Sequence, residues 1–264
     1  IASLQLAVKL NASISVIHVY QPVLIEEMPD SIAALLTAER KEEAIAAFID
    51  YVKESTAFTK FLDLVPMNFT LKEGYALDCI LSYVSDENID LVVMGTTGNS
   101  GLNKVFGNLA GEILENAKCP VLVVPKNSSF EGLVDKIGVA INYDFRKDKA
   151  LINYAIKWAE FFEADVECFH VDLRNIEDYH NEINDLRNEF SYNRLGFYTI
   201  DENTFIKGIK SYYSQNNPDI LVLSSTKRNF IRELFHKNLA KEVSMKLDIP
   251  ILAFHLKDSD MVVF

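Results

Sequence analysis

The chain has 264 residues, 49% of them apolar and 24% charged, a composition typical of a protein that folds around a buried core. Lysine and arginine together number 26 and aspartate and glutamate 38, which gives a formal net charge of -12. A surface this acidic argues against binding to nucleic acid or to an anionic membrane. No apolar run reaches the roughly eighteen residues of a membrane span and no export signal is visible, so we expect a cytoplasmic protein.

Short apolar runs alternate with longer segments of helical period along the first half of the chain. Residues 16–20, 91–94 and 121–124 are nearly continuous in hydrophobicity, as strands covered by helices on both faces are. The intervening pattern predicts three helices and one shorter strand, in chain order at 30–61, 66–71 (the strand), 75–84 and 102–117. This order of elements predicts right-handed crossovers and a doubly wound parallel sheet.

The same order recurs in the second half, with matching residues at corresponding places. Segment 7–19 matches segment 159–171 at an offset of 152 residues, and both contain a His-Val pair at the predicted end of a strand. Further on, the residues around Asn108 recur around Asn238 at an offset of 130. The repeat predicts a tandem duplication, with a first α/β domain over 1–127 and a second over 133–264. The polar stretch 126–132 joins them.

One strand of the second half has no counterpart in the first. The second half begins with a predicted strand at 136–141, and by the 152-residue offset its equivalent would precede Ile1. A parallel sheet that lacks an interior strand leaves unpaired backbone groups in its core. We therefore expect that the sequence shown lacks the first strand and first loop of the first domain.

Three glycines follow the apolar run 91–94, at positions 95, 98 and 107. A loop between a parallel strand and the next helix is where open α/β sheets bind ligands, and glycine lets backbone N–H groups approach phosphate oxygens. The alternative is that Gly95 and Gly98 only permit a tight turn between strand and helix. Neither the P-loop nor the G-x-G-x-x-G motif is present, so the usual P-loop and dinucleotide folds are not predicted.

The glycine segment from Met94 to Asn108, followed by Cys-Pro-Val-Leu-Val-Val at 119–124, resembles the universal stress protein family. Nucleotide-binding members of that family carry G-x2-G-x9-G-[ST] after the fourth strand and a closing strand that often reads CPVLVV. The resemblance covers both halves and implies a stress-response protein of two tandem doubly wound α/β domains. It implies ATP or a related adenine nucleotide as ligand, with magnesium accompanying the phosphates, in a regulatory rather than catalytic role. The positions that it implies as nucleotide contacts are Val19, Gly95, Gly98, Gly107 and Asn108.

The sequence departs from the family pattern in both halves. In the first, eight residues separate Gly98 from Gly107 where the family has nine, and Asn108 stands where the family has serine or threonine. In the second, side chains replace the three glycines and an amide replaces the family's first-strand aspartate; the residues are Ser224, Lys227, Lys237 and Asn142. We therefore predict at most one nucleotide per chain, in the first half. A scaffold or signalling protein without nucleotide and, with least support, a slow ATPase remain as alternatives.

Other chemistries find little support in the sequence. The three cysteines are widely spaced in apolar surroundings without a C-x-x-C pair, so we expect buried free thiols. The five histidines lack metal-ligand spacing, and no catalytic residue is predicted.

The apolar runs at 121–124 and 251–254 are the last strands of their halves and are therefore predicted edges. The resemblance implies that such strands pair across a two-fold axis. We predict that the two halves pack through them as an intramolecular pseudo-dimer, with a further homo-oligomer left open.

Overall fold

The computed structural model describes residues 2–21, 29–54, 61, 64–95, 108–142, 145–173, 179–224 and 248–254. Their elements in chain order are α1 Ala2–Leu10, β1 Ile14–Tyr20, α2 Asp30–Glu54, β2 Met67–Glu73, α3 Ala76–Asp86, β3 Val92–Gly95, α4 Asn108–Asn116, β4 Val121–Val124, β5 Lys136–Ile141, α5 Phe145–Phe162, β6 Asp165–Asp172, α6 His180–Glu189, β7 Leu195–Asp201, α7 Phe205–Asn216, β8 Ile220–Ser224 and β9 Ile251–Phe254. Every predicted strand and helix of the first half has a described counterpart. Residues 55–60 and 102–107, which end one predicted helix and begin another, lie outside the described residues.

The chain divides into two compact units, Ile1–Ile89 and Asp90–Phe264. This division cuts the first sequence repeat, because β3 and β4 belong to the second unit. The repeat-based domains 1–127 and 133–264 remain a prediction from sequence symmetry. Among the described helices, none is both long and apolar enough to cross a membrane.

The first unit contains a parallel pair of strands. β1 and β2 pair from Ile14 opposite Met67 to Tyr20 opposite Glu73, and the three helices α1, α2 and α3 all contact β1. Helix α1 ends where Asn11 takes a positive φ of 50°, a left-handed conformation that asparagine tolerates and that turns the chain into β1.

The second unit contains a seven-stranded sheet in the order β3-β4-β9-β8-β5-β6-β7. All neighbours are parallel except β4 and β9. Within the second half, β5 lies in the middle of five parallel strands, which is the doubly wound order predicted from the sequence. Strands β8 and β9 are buried along their whole length, because they are apolar on both faces as a helix-covered strand must be.

The predicted pairing of the two closing strands is confirmed. β4 and β9 run antiparallel, with Val121 opposite Ala253, Leu122 opposite Leu252 and Val123 opposite Ile251. β3 is parallel to β4 and β8 is parallel to β9, while β4 and β9 are antiparallel to each other. The carboxyl ends of β3 and β8 therefore point in opposite directions within the sheet. They are formed by Gly95 and Ser224, the equivalent last residues of these two strands.

Candidate functional site

The first glycine of the predicted phosphate loop lies at the carboxyl end of β3. Gly95 is the last residue of this strand, pairs with Val124 of β4 and is exposed, whereas the three residues before it are half-buried. The strand is held at its other end by the Val92 N–H, which donates to the Pro120 carbonyl at 3.0 Å. Gly95 is thus positioned where an open α/β sheet presents backbone to a ligand. Gly98 and Gly107 lie outside the described residues.

Helix α4 begins at Asn108, directly after the glycine segment. The first backbone N–H groups of a helix have no partner within the helix, and they carry partial positive charge. The first turn of α4 contains no acidic residue that would neutralise this end. The helix is fixed by burial of Ala110, Ile113 and Leu114. Exposed strand ends of open α/β sheets and helix N-termini are both places where proteins bind anions.

The remaining predicted contact lies in the other compact unit. Val19 is half-buried in β1, where it pairs with Lys72 of β2. Its neighbour His18 is likewise half-buried. Val19 belongs to the first compact unit, and Gly95 and Asn108 belong to the second.

The second half has a different set of residues at the corresponding strand ends. Ser224 ends β8 with only 7% of its surface exposed, and Asn142 directly follows β5. The Asn142 N–H donates to the carboxylate of Asp148, at 3.3 Å to Oδ1 and 3.1 Å to Oδ2. Lys227 and Lys237 lie outside the described residues.

Sequence reasoning missed Asp148. Its carboxylate is 2% exposed in the first turn of α5 and holds the end of β5 through the backbone of Asn142. An acidic residue in the first turn of a predicted helix is the signal that could have found it. A carboxylate does therefore lie near this strand end, but it is buried and bonded to the backbone.

The repeated His-Val pair has a structural role in the second half. The His170 ring contacts the Ile141 carbonyl through Nδ1 at 3.2 Å. It also makes a T-shaped contact with the Tyr179 ring, with 4.9 Å between the ring centroids. Because a carbonyl oxygen only accepts, this contact assigns the proton to Nδ1. The histidine thereby ties the end of β6 to the end of β5, its neighbour in the sheet.

Two of the three cysteines, Cys119 and Cys168, are buried as expected, whereas Cys79 is half-buried, and neither buried cysteine has the surroundings of a reactive group. Burial raises the pKa of the Cys119 thiol from 9.0 to about 11, and it raises the pKa of the Cys168 thiol well above its usual range. Both therefore stay protonated near neutral pH, which disfavours a nucleophilic or metal-binding role. The described part of the chain also holds no group of three or more histidine, cysteine or acidic side chains placed to bind a metal ion.

Comparison with known sequences points to one family. The family model described as "Universal stress protein family" matches residues 2–125. A universal stress protein of Methanocaldococcus jannaschii is 40% identical over 63 residues, which are 24% of this chain and 37% of that relative. Another, of Thermus aquaticus, is 30% identical over 116 residues, which are 43% of this chain and 78% of the relative.

Comparison with solved structures extends the likeness over the whole chain. A universal stress protein from Archaeoglobus fulgidus superposes with a TM-score of 0.67 and 15% identity, covering 98% of this chain and 93% of that one. A Pseudomonas aeruginosa protein assigned to the same family gives a TM-score of 0.56 and 17% identity, covering 96% and 95%. At these identities the likeness shows the fold.

Proposed function

The chain belongs to the universal stress protein family, and we propose that it binds ATP or a related adenine nucleotide in its first half. The observation that carries the proposal is the exposed Gly95 at the end of β3, joined by a glycine-containing segment to the start of α4. In this proposal the nucleotide regulates a stress response and is not turned over as a substrate.

The proposed contacts divide by chemistry. The backbone at Gly95, Gly98 and Gly107 approaches the phosphates, because no side chain intervenes, and the N–H groups that begin α4 at Asn108 face the same charge. Val19 is the position that the family resemblance assigns to the adenine side, and it lies in the first compact unit. Magnesium, which the family resemblance implies, would accompany the phosphates and neutralise part of their charge, as an ion that keeps several of its waters when bound.

The second half is proposed to bind no nucleotide. Ser224 is buried where Gly95 is exposed, so a side chain fills the equivalent of the backbone cradle. The backbone N–H of Asn142 is already bonded to Asp148 and is not available to a ligand. The expected stoichiometry is therefore one nucleotide per chain.

The proposal includes a cytoplasmic location. It is supported by the three cysteines, Cys79, Cys119 and Cys168, all of which are free thiols, as is usual in a reducing compartment.

Isothermal titration of the full chain with ATP tests the proposal. We expect a stoichiometry near one and loss of binding in Gly98→Val, because a branched side chain fills the cradle. The matched Lys227→Val variant, at the corresponding position of the second half, should bind as the unchanged protein does. A stoichiometry near two, or undiminished affinity in Gly98→Val, would contradict the assignment of the site.

Measurements on the same purified protein distinguish the two alternatives, a scaffold without nucleotide and a slow ATPase. A scaffold that has lost nucleotide binding gives no heat with ATP, ADP or AMP and carries no nucleotide when the purified protein is denatured. An ATPase releases phosphate above the rate measured with Gly98→Val.

A further inference from the structure

The long helix α2 has two apolar sides. Its inner side contacts β1 and includes the buried Ala44 and the half-buried Leu36. Four large apolar side chains on its outer side are each 38–60% exposed: Ile32, Leu35, Ile45 and Ile49. A helix that covers a sheet normally carries polar residues on the side that faces solvent. The outer side of α2 thus has the composition of a contact surface.

The outer apolar residues have the spacing of a seam between two helices. Steps of three and four residues place side chains in one stripe along a helix. The exposed residues at such steps, which we call the outer stripe, are Ile32, Leu35, Ala38, Glu42, Ile45 and Ile49. The stripe is about 26 Å long at 1.5 Å per residue. It is therefore long enough to bury a second helix of several turns.

The second half has no such stripe. Residues 21–66 connect β1 to β2, whereas residues 173–194 connect the matching strands β6 and β7. Helix α6 in the shorter connection has ten residues, all of them described, and none of its large apolar side chains is exposed. A short helix with a polar outer side is thus sufficient to cover the corresponding strands. The outer stripe is an addition of the first half that the fold itself does not require.

The middle of the outer stripe is acidic. Glu42 lies within the stripe and Glu39 and Glu43 lie beside it, and all three are exposed. None of the three forms an ion pair within the described part of the chain. A partner that covers the apolar ends of the stripe brings its own middle against these carboxylates. Positive charge at that place makes the contact favourable.

The apolar residues of α2 are arranged symmetrically about the middle of the helix. Counted from the midpoint of residues 32–49, Ile32 matches Ile49 and Leu35 matches Ala46. An antiparallel helix with the same spacing therefore places apolar side chains against both ends of the stripe. The spacing suits a partner helix that is apolar toward both of its ends.

We propose that the outer stripe of α2 binds an amphipathic basic helix of a partner protein, antiparallel to α2, with apolar side chains toward its ends and lysine or arginine at its middle. Burial of the apolar ends supplies affinity, and the charge pairs at the middle select the partner. A second copy of the chain fits less well, because the symmetry sets Glu39 of one copy opposite Glu42 of the other. The same carboxylates disfavour an anionic membrane.

Two synthetic peptides derived from α2 test the proposal on the full chain. The acidic peptide has the unchanged sequence of residues 30–54, and the basic peptide carries Glu39→Lys, Glu42→Lys and Glu43→Lys. Both keep every apolar residue, so they differ in charge alone. By fluorescence anisotropy we expect the basic peptide to bind at least tenfold more tightly at low salt, and the difference to shrink as the ionic strength rises.

Variants of the full chain locate the binding surface. Leu35→Asn should weaken binding of the basic peptide about tenfold, because an apolar side chain at the centre of the contact is lost. Leu133→Asn is the matched control, since Leu133 is 64% exposed and Leu35 is 60% exposed, and it should leave binding unchanged.

A charge reversal tests the choice of partner. Glu42→Lys should reduce the preference for the basic peptide about tenfold, because repulsion replaces attraction at the middle of the stripe. Glu182→Lys, the same exposed change on α6, should leave the preference as it is in the unchanged protein.

A basic peptide that binds no better than the acidic one would overturn the proposal, as would equal binding to Leu35→Asn and Leu133→Asn. Self-association of the free chain that Leu35→Asn abolishes would assign the stripe to a second copy instead. A lower free energy of unfolding in Leu35→Asn, but not in Leu133→Asn, would show that the chain itself covers the stripe.

Discussion

Leu122 and Leu252 face each other at the centre of the antiparallel ladder between β4 and β9, and both side chains are completely buried. They are separated by 130 residues, the offset of the sequence repeat in this region. The register of the ladder is therefore symmetric about this pair, because Val121 and Val123 lie opposite Ala253 and Ile251. Leu122 thus pairs with its own counterpart in the repeat, Leu252, where the two halves meet.

This symmetry predicts equal effects of equivalent substitutions. Leu122→Ala and Leu252→Ala should each lower the free energy of unfolding by about 2–5 kcal/mol, because each leaves a cavity at the same junction. Urea unfolding of both variants measures the loss. A loss below about 1 kcal/mol in either variant would mean that the junction contributes little to stability.

Gly138 of β5 lies in a position with no room for a side chain. It pairs with Glu167 of β6, which in turn pairs with Gly196 of β7. A Cβ at Gly138 would lie 2.6 Å from Cε1 of Tyr212, whose ring is stacked on Phe169 at 3.9 Å between centroids. We expect Gly138→Ala to cost about 1–3 kcal/mol of stability, since stacking on Phe169 and the hydroxyl's hydrogen bond to Glu167 keep the ring from moving away.

Gly111→Ala is the matched control for that substitution. A Cβ at Gly111, inside α4, meets nothing within 4 Å. The alanine should raise the free energy of unfolding by about 0.5–1 kcal/mol through its better helix propensity. If both alanine variants were destabilised alike, the close contact with Tyr212 would not be the cause.

A buried carboxylate in the second half depends on its donors. Glu167 accepts from the Tyr212 hydroxyl at 2.8 Å and pairs with Lys136 Nζ at 3.1 Å. Tyr212→Phe removes one donor and should cost about 1–3 kcal/mol, measured by urea unfolding. Tyr213→Phe, one residue along the same helix, should change stability by less than about 0.5 kcal/mol. Equal costs in both variants would show that the hydroxyl at Tyr212 is unimportant.

The raised pKa of Cys119 predicts a loss of stability in alkaline solution. Near neutral pH the thiol is protonated in both the folded and the unfolded chain. Between its unfolded pKa of 9.0 and its folded pKa of about 11, the unfolded chain releases the proton first. The free energy of unfolding should then fall with rising pH, with a contribution approaching about 1.4 kcal/mol per pH unit from one site.

Cys119→Ala isolates this contribution from those of the other thiols and tyrosines. The difference in the free energy of unfolding between the unchanged protein and Cys119→Ala should be constant from pH 7 to 8 and shrink from pH 9 to 10.5. A difference that stays constant over the whole range would contradict the raised pKa.

The order of strands and helices along the chain, the family and the pairing of β4 with β9 could all be predicted from the sequence. The order of elements depends on patterns that are local in the chain, while the family and the strand pairing depend on the resemblance carried by the glycine segment and by Cys-Pro-Val-Leu-Val-Val at 119–124. The apolar runs at 91–94 and 121–124 predict buried strands because a strand covered on both faces excludes charge along its whole length. The glycine positions likewise predicted an exposed strand end, and Gly95 lies at one.

Only the tertiary structure decided which polar groups meet. Tyr212 reaches Glu167 across 45 residues, and Asp219 reaches Lys136 across 83. Such pairs follow from strand register and side-chain direction, which no local pattern specifies. The pairing of β1 with β2 was likewise decided there, because a strand pairs only where another strand offers it a complementary row of backbone groups.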